Sequence, residues 1–292
     1  MKHRSGFVNI LGNPNVGKST IMNALVGEKL SIITSKAQTT RHRILGIVNG
    51  DDFQIIYSDT PGILKPKYKL QEAMMSFVDG ALRDADLILY VTDVTEKPLA
   101  EKEYTERIKS SGIPVIIAIN KIDLSNQSDL ERIAEAWHAA FPGSPVIPLS
   151  ALNNFNLQPL LENILLKLPE NEPFFPKDQL TDKYERFFAS EILREKILKN
   201  YKEEVPYCVE IEIESFKDEQ KIIRIGAVIH VARDSQKGII IGHKGSMLKK
   251  VGTEARHDME DFFGKKIFLE LFVKVTKDWR DKPAILKRFG YR

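Results

Sequence analysis

Short apolar runs rich in Val and Ile recur through the first half of the chain, at Phe7–Leu11, Leu45–Asn49, Phe53–Ser58, Leu87–Thr92, Val115–Asn120 and Val146–Leu149. Runs that are apolar throughout, rather than alternating, predict strands covered on both faces. With helical patterns between most of them, they predict an α/β fold with a mostly parallel sheet. The stretch Leu168–Pro176 holds three prolines in nine residues and interrupts every periodic pattern. Beyond it the pattern changes. Tyr184, Phe188, Ile192 and then Leu193, Ile197, Tyr201 step by four, predicting a helix with one apolar stripe. Tyr207–Ile213 alternates apolar with Cys208, Glu210, Glu212 and Glu214, and Ile223–Val231 follows as a partner strand. Leu248, Val251, Ala255, Met259 and Phe262 predict a second helix, and Ile267–Val275 a third strand. The expected order is α-β-β-α-β. The chain is thus read as a first α/β domain over 1–170, a short stiff linker over 171–181 and a smaller α+β domain over 182–292.

Composition adds limits. At 292 residues, 42 % hydrophobic and 28 % charged, the chain holds two ordinary globular domains. The longest apolar run, Ile113–Ile119, is far short of the about 20 residues of a membrane span. No secretory leader fits before Gly12, and Cys208 is the only cysteine, which excludes an intramolecular disulfide. A cytoplasmic location is expected. The net charge of +3 is small but unevenly placed. Residues 201–220 carry two basic and seven acidic side chains, whereas 221–250 carry seven and one, which predicts one basic face on the second domain.

Between the first strand and the helical pattern from Thr20 lies Gly12-Asn13-Pro14-Asn15-Val16-Gly17-Lys18-Ser19. This is G-x-x-x-x-G-K-[ST] in its proper setting. Its backbone N–H groups can wrap a phosphate chain, Lys18 can reach the terminal phosphates, and Ser19 can ligate Mg²⁺. Asn120-Lys121-Ile122-Asp123 closes the strand Val115–Asn120. The Asp123 carboxylate can accept the paired donors of guanine, which adenine lacks, while Asn120 bonds loop and base edge and the Lys121 stem lies over the ring. Ser150-Ala151-Leu152 follows the last strand and offers N–H groups to the guanine carbonyl. Asp59-Thr60-Pro61-Gly62 ends the strand Phe53–Ser58, where Asp59 can hold Mg²⁺ through water and Gly62 N–H can meet a terminal phosphate. Thr39 and Thr40 are both candidates for the second Mg²⁺ hydroxyl, with Thr40 preferred.

In this order these elements resemble the translation-factor-like GTPase superfamily over roughly residues 6–168. That resemblance implies GTP binding, hydrolysis to GDP, and switch loops carrying Thr39, Thr40 and Gly62 that order around the γ-phosphate. The residue after the D-T-P-G motif is Ile63, which cannot orient water, so slow intrinsic turnover is expected. Related families with an apolar residue there, and with an Asn at the place of Asn15, are similar in using K⁺ or a partner. Asn15 is accordingly either a K⁺ ligand or a residue that shapes the loop.

In the second domain, Ile240-Ile241-Gly242-His243-Lys244-Gly245 puts G-x-x-G directly before a periodic helix, as in a KH loop. Two glycines permit a single-stranded backbone to approach, His243 and Lys244 can meet phosphates, and Ile239–Ile241 can floor the bases. Arg233, Lys237, Lys249 and Lys250 add charge. A phosphate-loop domain followed by a type II KH domain resembles the Era family, and Gln38–Arg43 with Ile241–Gly245 strengthens the likeness. The resemblance implies a switch in assembly of the small (30S) ribosomal subunit that binds 16S ribosomal RNA near its 3′ end. It also implies Mg²⁺ as cofactor, GTP and GDP as ligands, and peripheral contact with the inner face of the cell membrane; a monomer is expected.

The six histidines show no ligand pairing. Trp137, Trp279 and the Phe262-Phe263 pair are read as core. The basic end, Lys282, Lys287, Arg288 and Arg292, is either an RNA contact or a solvated face. An alternative function is an RNA-binding assembly chaperone that senses GTP with little turnover. The switch loops Lys36–Arg43 and Asp59–Lys69 are expected to meet the KH domain or its linker.

Overall fold

A computed structural model describes residues 3–96 and 102–291. It divides into two compact units, the first of residues 1–31, 40–65 and 74–182, the second of 32–39, 66–73 and 183–292.

The first unit is built on β1 (Arg4–Leu11), α1 (Lys18–Val26), β2 (Ile44–Asn49) and β3 (Phe53–Asp59). It continues through α2 (Lys69–Arg83, of which residues 74–83 belong to this unit), β4 (Leu87–Asp93), α3 (Lys102–Ser110) and β5 (Val115–Asn120), then α4 (Gln127–Ala140), β6 (Val146–Pro148) and α5 (Leu157–Lys167). The six strands lie in the order β2-β3-β1-β4-β5-β6, and only β2 runs antiparallel to its neighbour. Strands β4 and β5 are buried along their whole length, as covering both faces requires. The loops after β1, β3, β4 and β5 therefore open at one edge, the carboxyl ends of parallel strands, where such sheets bind ligands. Residues 171–181, expected as a linker, are laid along this unit. Gln54 Oε1 accepts from the amides of Phe174 and Phe175, Phe174 packs on Phe7 at 5.1 Å, and Thr181 bridges Gly46.

The second unit contains α6 (Glu185–Asn200), β7 (Glu210–Asp218), β8 (Ile222–Val231), α7 (Asp234–Ile241), α8 (Ser246–Phe263), β9 (Lys266–Val275) and α9 (Pro283–Arg288). The sheet order is β7-β8-β9, antiparallel then parallel. Its helical face buries Ile211, Ile225, Ile229 and Ile267 against Leu193 and Ile197 of α6 and Val251, Ala255 and Met259 of α8. Two features differ from the sequence reading. Helix α7 stands before the glycine loop; Gly238 and three consecutive isoleucines had disguised it, since β-branched residues and glycine are poor helix formers. Helix α6 is buried far beyond one stripe, with Glu191, Arg194, Glu195 and Lys196 all inside.

Trp137 and Trp279 both lie in cores, whereas Phe262 is 39 % exposed rather than core. Residues near the end of the chain pack on the sheet: Trp279 Nε1 donates to Cys208 O and Arg288 pairs with Glu212. Arg292 lies outside the described residues. Among the described residues, no helix is long and apolar enough to cross a membrane.

Candidate functional site

The chain leaves β1 at Leu11, wraps through residues 12–17 and enters α1 from Gly17, whose left-handed φ of 95° opens the helix. A Cβ at Gly17 would stand 2.2 Å from Asn120 Nδ2, so the loop and the end of β5 approach as only glycine permits. Lys18 is buried, and its Nζ donates to the carbonyls of Gly12 (3.0 Å) and Asn13 (2.7 Å). Burial lowers its pKa to about 8, against the attraction of Asp59 and Glu96. A buried ammonium held by carbonyls at a helix N-terminus is a ready partner for phosphate oxygens.

Beside it, Ser19 Oγ donates to Asp59 Oδ2 at 2.6 Å and lies 2.9 Å from Thr40 Oγ1, which reaches the same oxygen at 3.3 Å. Asp59 Oδ1 is buried without a hydrogen-bond partner. Burial raises the Asp59 pKa, while the Ser19 hydrogen bond and the Lys18 charge oppose it. Two hydroxyls and a carboxylate with an unused oxygen form an all-oxygen donor set that suits a hard cation such as Mg²⁺. Thr40, the preferred candidate, joins this cluster. Thr39 instead bonds locally, its Oγ1 donating to Lys36 O at 2.6 Å. After Asp59 the chain is fixed by Thr60 Oγ1 donating to Ile10 O (2.7 Å) and Ile63 N to Gly12 O (3.1 Å). A Cβ on Gly62 would meet Pro14 Cα at 2.6 Å, and Ile63 is only 2 % exposed, its side chain turned into the protein.

On the base side, buried Asn120 donates from Nδ2 to Val16 O (2.9 Å) and accepts at Oδ1 from Ala151 N (3.0 Å). It ties the phosphate loop to the 150–152 turn, which is the loop contact expected of it. Asp123 is exposed, oriented by Ser150 Oγ at 2.5 Å. Lys121, with φ 61°, sends Nζ to Asn15 O at 2.7 Å and to Asp93 Oδ2 at 2.5 Å. Asn15 has φ 66°, a left-handed conformation that Asn tolerates well.

In the second unit the loop from Gly242 to Gly245 joins α7 to α8. Gly242, Lys244 and Gly245 all have positive φ (71°, 48° and 78°). His243 and Lys244 are exposed at its tip, with Lys249 and Lys250 exposed on the first turns of α8. Next to the loop a groove of about 380 Å³ runs between α8 and the edge strand β9, floored by Leu248, Leu269 and Leu271 and rimmed by Lys249 and Arg256. An apolar floor with a cationic rim accepts stacked bases below and phosphates above.

Both domains have relatives among known proteins. A family described as 50S ribosome-binding GTPase matches residues 7–121, and the KH domain family matches residues 204–280. GTPase Era of Clostridium kluyveri is 44 % identical over 99 % of both chains, and that of Geotalea daltonii 46 % identical over 98 % of this chain and 97 % of its own. The chain belongs to the Era family of GTPases. Among solved structures, an Era in complex with MgGDPNP and nucleotides 1506–1542 of 16S ribosomal RNA superposes with a TM-score of 0.94 at 42 % identity, covering 99 % of each chain. An Aquifex aeolicus Era variant bound to GDP and aluminium fluoride superposes equally well.

For this Era-family chain, the structure gathers the phosphate-loop residues with Asp59, Thr60, Gly62, Ile63, Asn120, Lys121, Asp123 and the 150–152 turn at one edge of the sheet. In the KH domain, Gly245 and Lys249 line the groove, while Gly242, His243 and Lys244 stand on the loop beside it and Lys250 on the first turns of α8. Ile240 does not join them: it is fully buried in the core, and its carbonyl accepts from Tyr201 Oη at 2.6 Å, while Ile239 beside it is 48 % exposed. Successive residues of a helix point in different directions, so Ile239–Ile241 do not share one floor. Asp93 was missed in the sequence, although it ends β4 directly opposite Asn120 in register, where ligand-facing groups collect. Leu248, Gly252 and Arg256 were missed as well; their four-residue step runs beside the core stripe Val251, Ala255 and Met259.

Proposed function

We propose that this chain hydrolyses GTP as a switch in assembly of the small ribosomal subunit, binding 16S ribosomal RNA near its 3′ end through the KH groove. The observation that carries the reading is the convergence of Ser19, Thr40 and Asp59 beside Lys18 in a chain that also holds an open, cation-rimmed groove. Ser19 and Thr40 would ligate Mg²⁺ directly and Asp59 through water; the ion would neutralise charge on the terminal phosphates. Lys18 holds those phosphates, the phosphate-loop amides orient them, and Asp123 selects guanine. The chain supplies no side chain at position 63 to orient water, so basal hydrolysis is slow. The same reading assigns the Asn15 side chain to a K⁺ ion near the phosphates. Faster hydrolysis in K⁺ than in Na⁺ supports this assignment, and equal rates leave Asn15 a loop-shaping residue.

The test is multiple-turnover GTP hydrolysis with and without a short RNA copying the 3′ end of 16S ribosomal RNA, in K⁺ and in Na⁺, beside a Gly242→Asp/Gly245→Asp variant. Stimulation by RNA that the variant loses supports one RNA-responsive GTPase. RNA binding without stimulation favours a GTP-sensing assembly chaperone, a reading kept open by the inward-turned Ile63.

A further inference from the structure

Arg194 lies in the middle of α6 and is 1 % exposed. Its Nε and Nη2 bind the two oxygens of Glu191, at 2.7 and 2.5 Å. Desolvating such a pair costs as much as its attraction returns, so burial of this pair calls for a reason other than stability. The remaining donors supply one. Nη2 also donates to the carbonyl of Thr39 at 2.5 Å, and Nη1 to that of Gln38 at 3.4 Å. Both carbonyls lie in residues 32–39, which pack within the same unit as α6.

That segment is closed on itself. Thr34 Oγ1 and Thr39 Oγ1 are 2.6 Å apart, Thr39 Oγ1 donates to Lys36 O, and Lys36 Nζ donates to Tyr201 O at the end of α6. Gln38 holds a left-handed φ of 58°, disfavoured for its side chain, and its Oε1 accepts from Tyr68 Oη at 2.9 Å. The next residue is Thr40, whose hydroxyl stands by Ser19 and Asp59.

We infer that Arg194 is a positioning residue for GTP hydrolysis: its guanidinium holds the Gln38 and Thr39 carbonyls and so presets the backbone that delivers the Thr40 hydroxyl to the cation cluster. The inference rests on the reading of Thr40 as a ligand of Mg²⁺. Only arginine has a planar fork able to serve a carboxylate and two carbonyls at once.

Because Thr40 serves the triphosphate state, its misplacement separates GTP from GDP. In an Arg194→Met chain, affinity for a non-hydrolysable GTP analogue falls, and the Mg²⁺ concentration for half-maximal hydrolysis rises, each by about tenfold, the scale of one charge-assisted hydrogen bond. Affinity for GDP and for the RNA stays within about twofold, a change worth under half a kcal/mol. A merely structural residue would weaken all of them together. Glu191→Met/Arg194→Met removes both charges and guards against misfolding from an unpaired Glu191. Thr40→Ala is the reference: if it leaves GTP-analogue affinity and hydrolysis unchanged, the reading of Thr40 fails. If it lowers both while the Arg194 variants do not, the inference alone fails. The unmodified, nucleotide-free chain gives a further test by hydrogen exchange. The Lys36 amide, which donates to Thr34 Oγ1, should exchange slowly there and faster in the Arg194→Met chain, and equal exchange in the two overturns the inference.

Discussion

The ammonium of Lys121 lies 2.5 Å from the carboxylate of Asp93; Asp93 ends β4, and Lys121 follows the last residue of the neighbouring β5. Asp93 is 3 % exposed and also accepts from the amide and hydroxyl of Thr95. Burial would raise its pKa, but the hydrogen bonds from Lys121 and Thr95 outweigh this and hold the carboxyl below its usual range. The pair sets the direction of the Lys121 side chain, whose stem the proposed function lays over guanine.

Replacing Asp93 by Asn keeps the volume and removes the charge that steers Lys121. Dissociation of GTP and GDP should accelerate equally, by about five- to tenfold, a loss of about one hydrogen bond to a charged group. Stopped-flow release of a fluorescent guanine nucleotide measures it; kcat should hold while KM rises, since the contact is the same in ground and transition states.

Gly62→Ala tests the contact between the loop after β3 and the phosphate loop. Its Cβ would stand 2.6 Å from Pro14 Cα and N, atoms of backbone that cannot swing aside. The expected result is near-normal GDP binding and a fall in single-turnover hydrolysis of about 100-fold, the scale of an ångström-sized misplacement.

The groove makes a prediction that salt can read. Lys249→Ala should lower RNA affinity similarly for all sequences and reduce the slope of log affinity against log salt by about 0.7, one phosphate contact on a single strand. Gly252→Val should weaken RNA binding at every salt concentration, because a Cβ there already comes within 2.9 Å of Leu271 Cδ1. Filter binding across a salt series distinguishes the two, and basal GTP hydrolysis should be unaffected in both.

His230 predicts a pH dependence. It is buried between Thr276 Oγ1 (2.8 Å) and Glu212 Oε2 (3.0 Å), and Phe289 lies against its ring. Burial lowers its pKa below the ordinary 6.5, despite the attraction of Glu212 and with Lys274 and Arg288 adding to the fall. Below pH 6.5 the unfolded chain therefore binds a proton that the folded chain resists, so stability drops as pH falls from 6.5 towards the folded value. Glu212, held below its usual 4.5 by Arg288 and His230 despite its own burial, adds a loss only at more acid pH. Urea unfolding followed by Trp279 emission in a Trp137→Phe background should show this decline, and His230→Gln should flatten it between pH 6.5 and 5.5.

What the sequence revealed follows physical lines. The strands, the phosphate loop, the guanine reader and the glycine loop were legible, because each depends on local spacing: a run of Val and Ile, a glycine at a turn, a carboxylate three residues after Asn120. Helix α7 was hidden because Gly238 and Ile239–Ile241 suit a strand by propensity, and tertiary packing of Ile240 overrode that preference. The burial of Glu191 and Arg194 was hidden for a different reason. No periodicity marks a helix face covered by carbonyls from residues about 155 positions away in the chain. Asp93 needed the strand register, which sequence alone does not fix.

The second unit draws residues 32–39 together with residues 183–292. During synthesis, the loop before Thr40 thus leaves the ribosome long before the helix that carries Arg194. At about 5–20 residues per second the delay is roughly 10–30 s, far longer than local folding needs. By the end of that interval the nascent chain has its phosphate loop, Asp59, Asn120 and Asp123 in hand, while the Gln38 and Thr39 carbonyls still await their guanidinium. Emergence of α6 is then the event that gives the Gln38 and Thr39 carbonyls their partner.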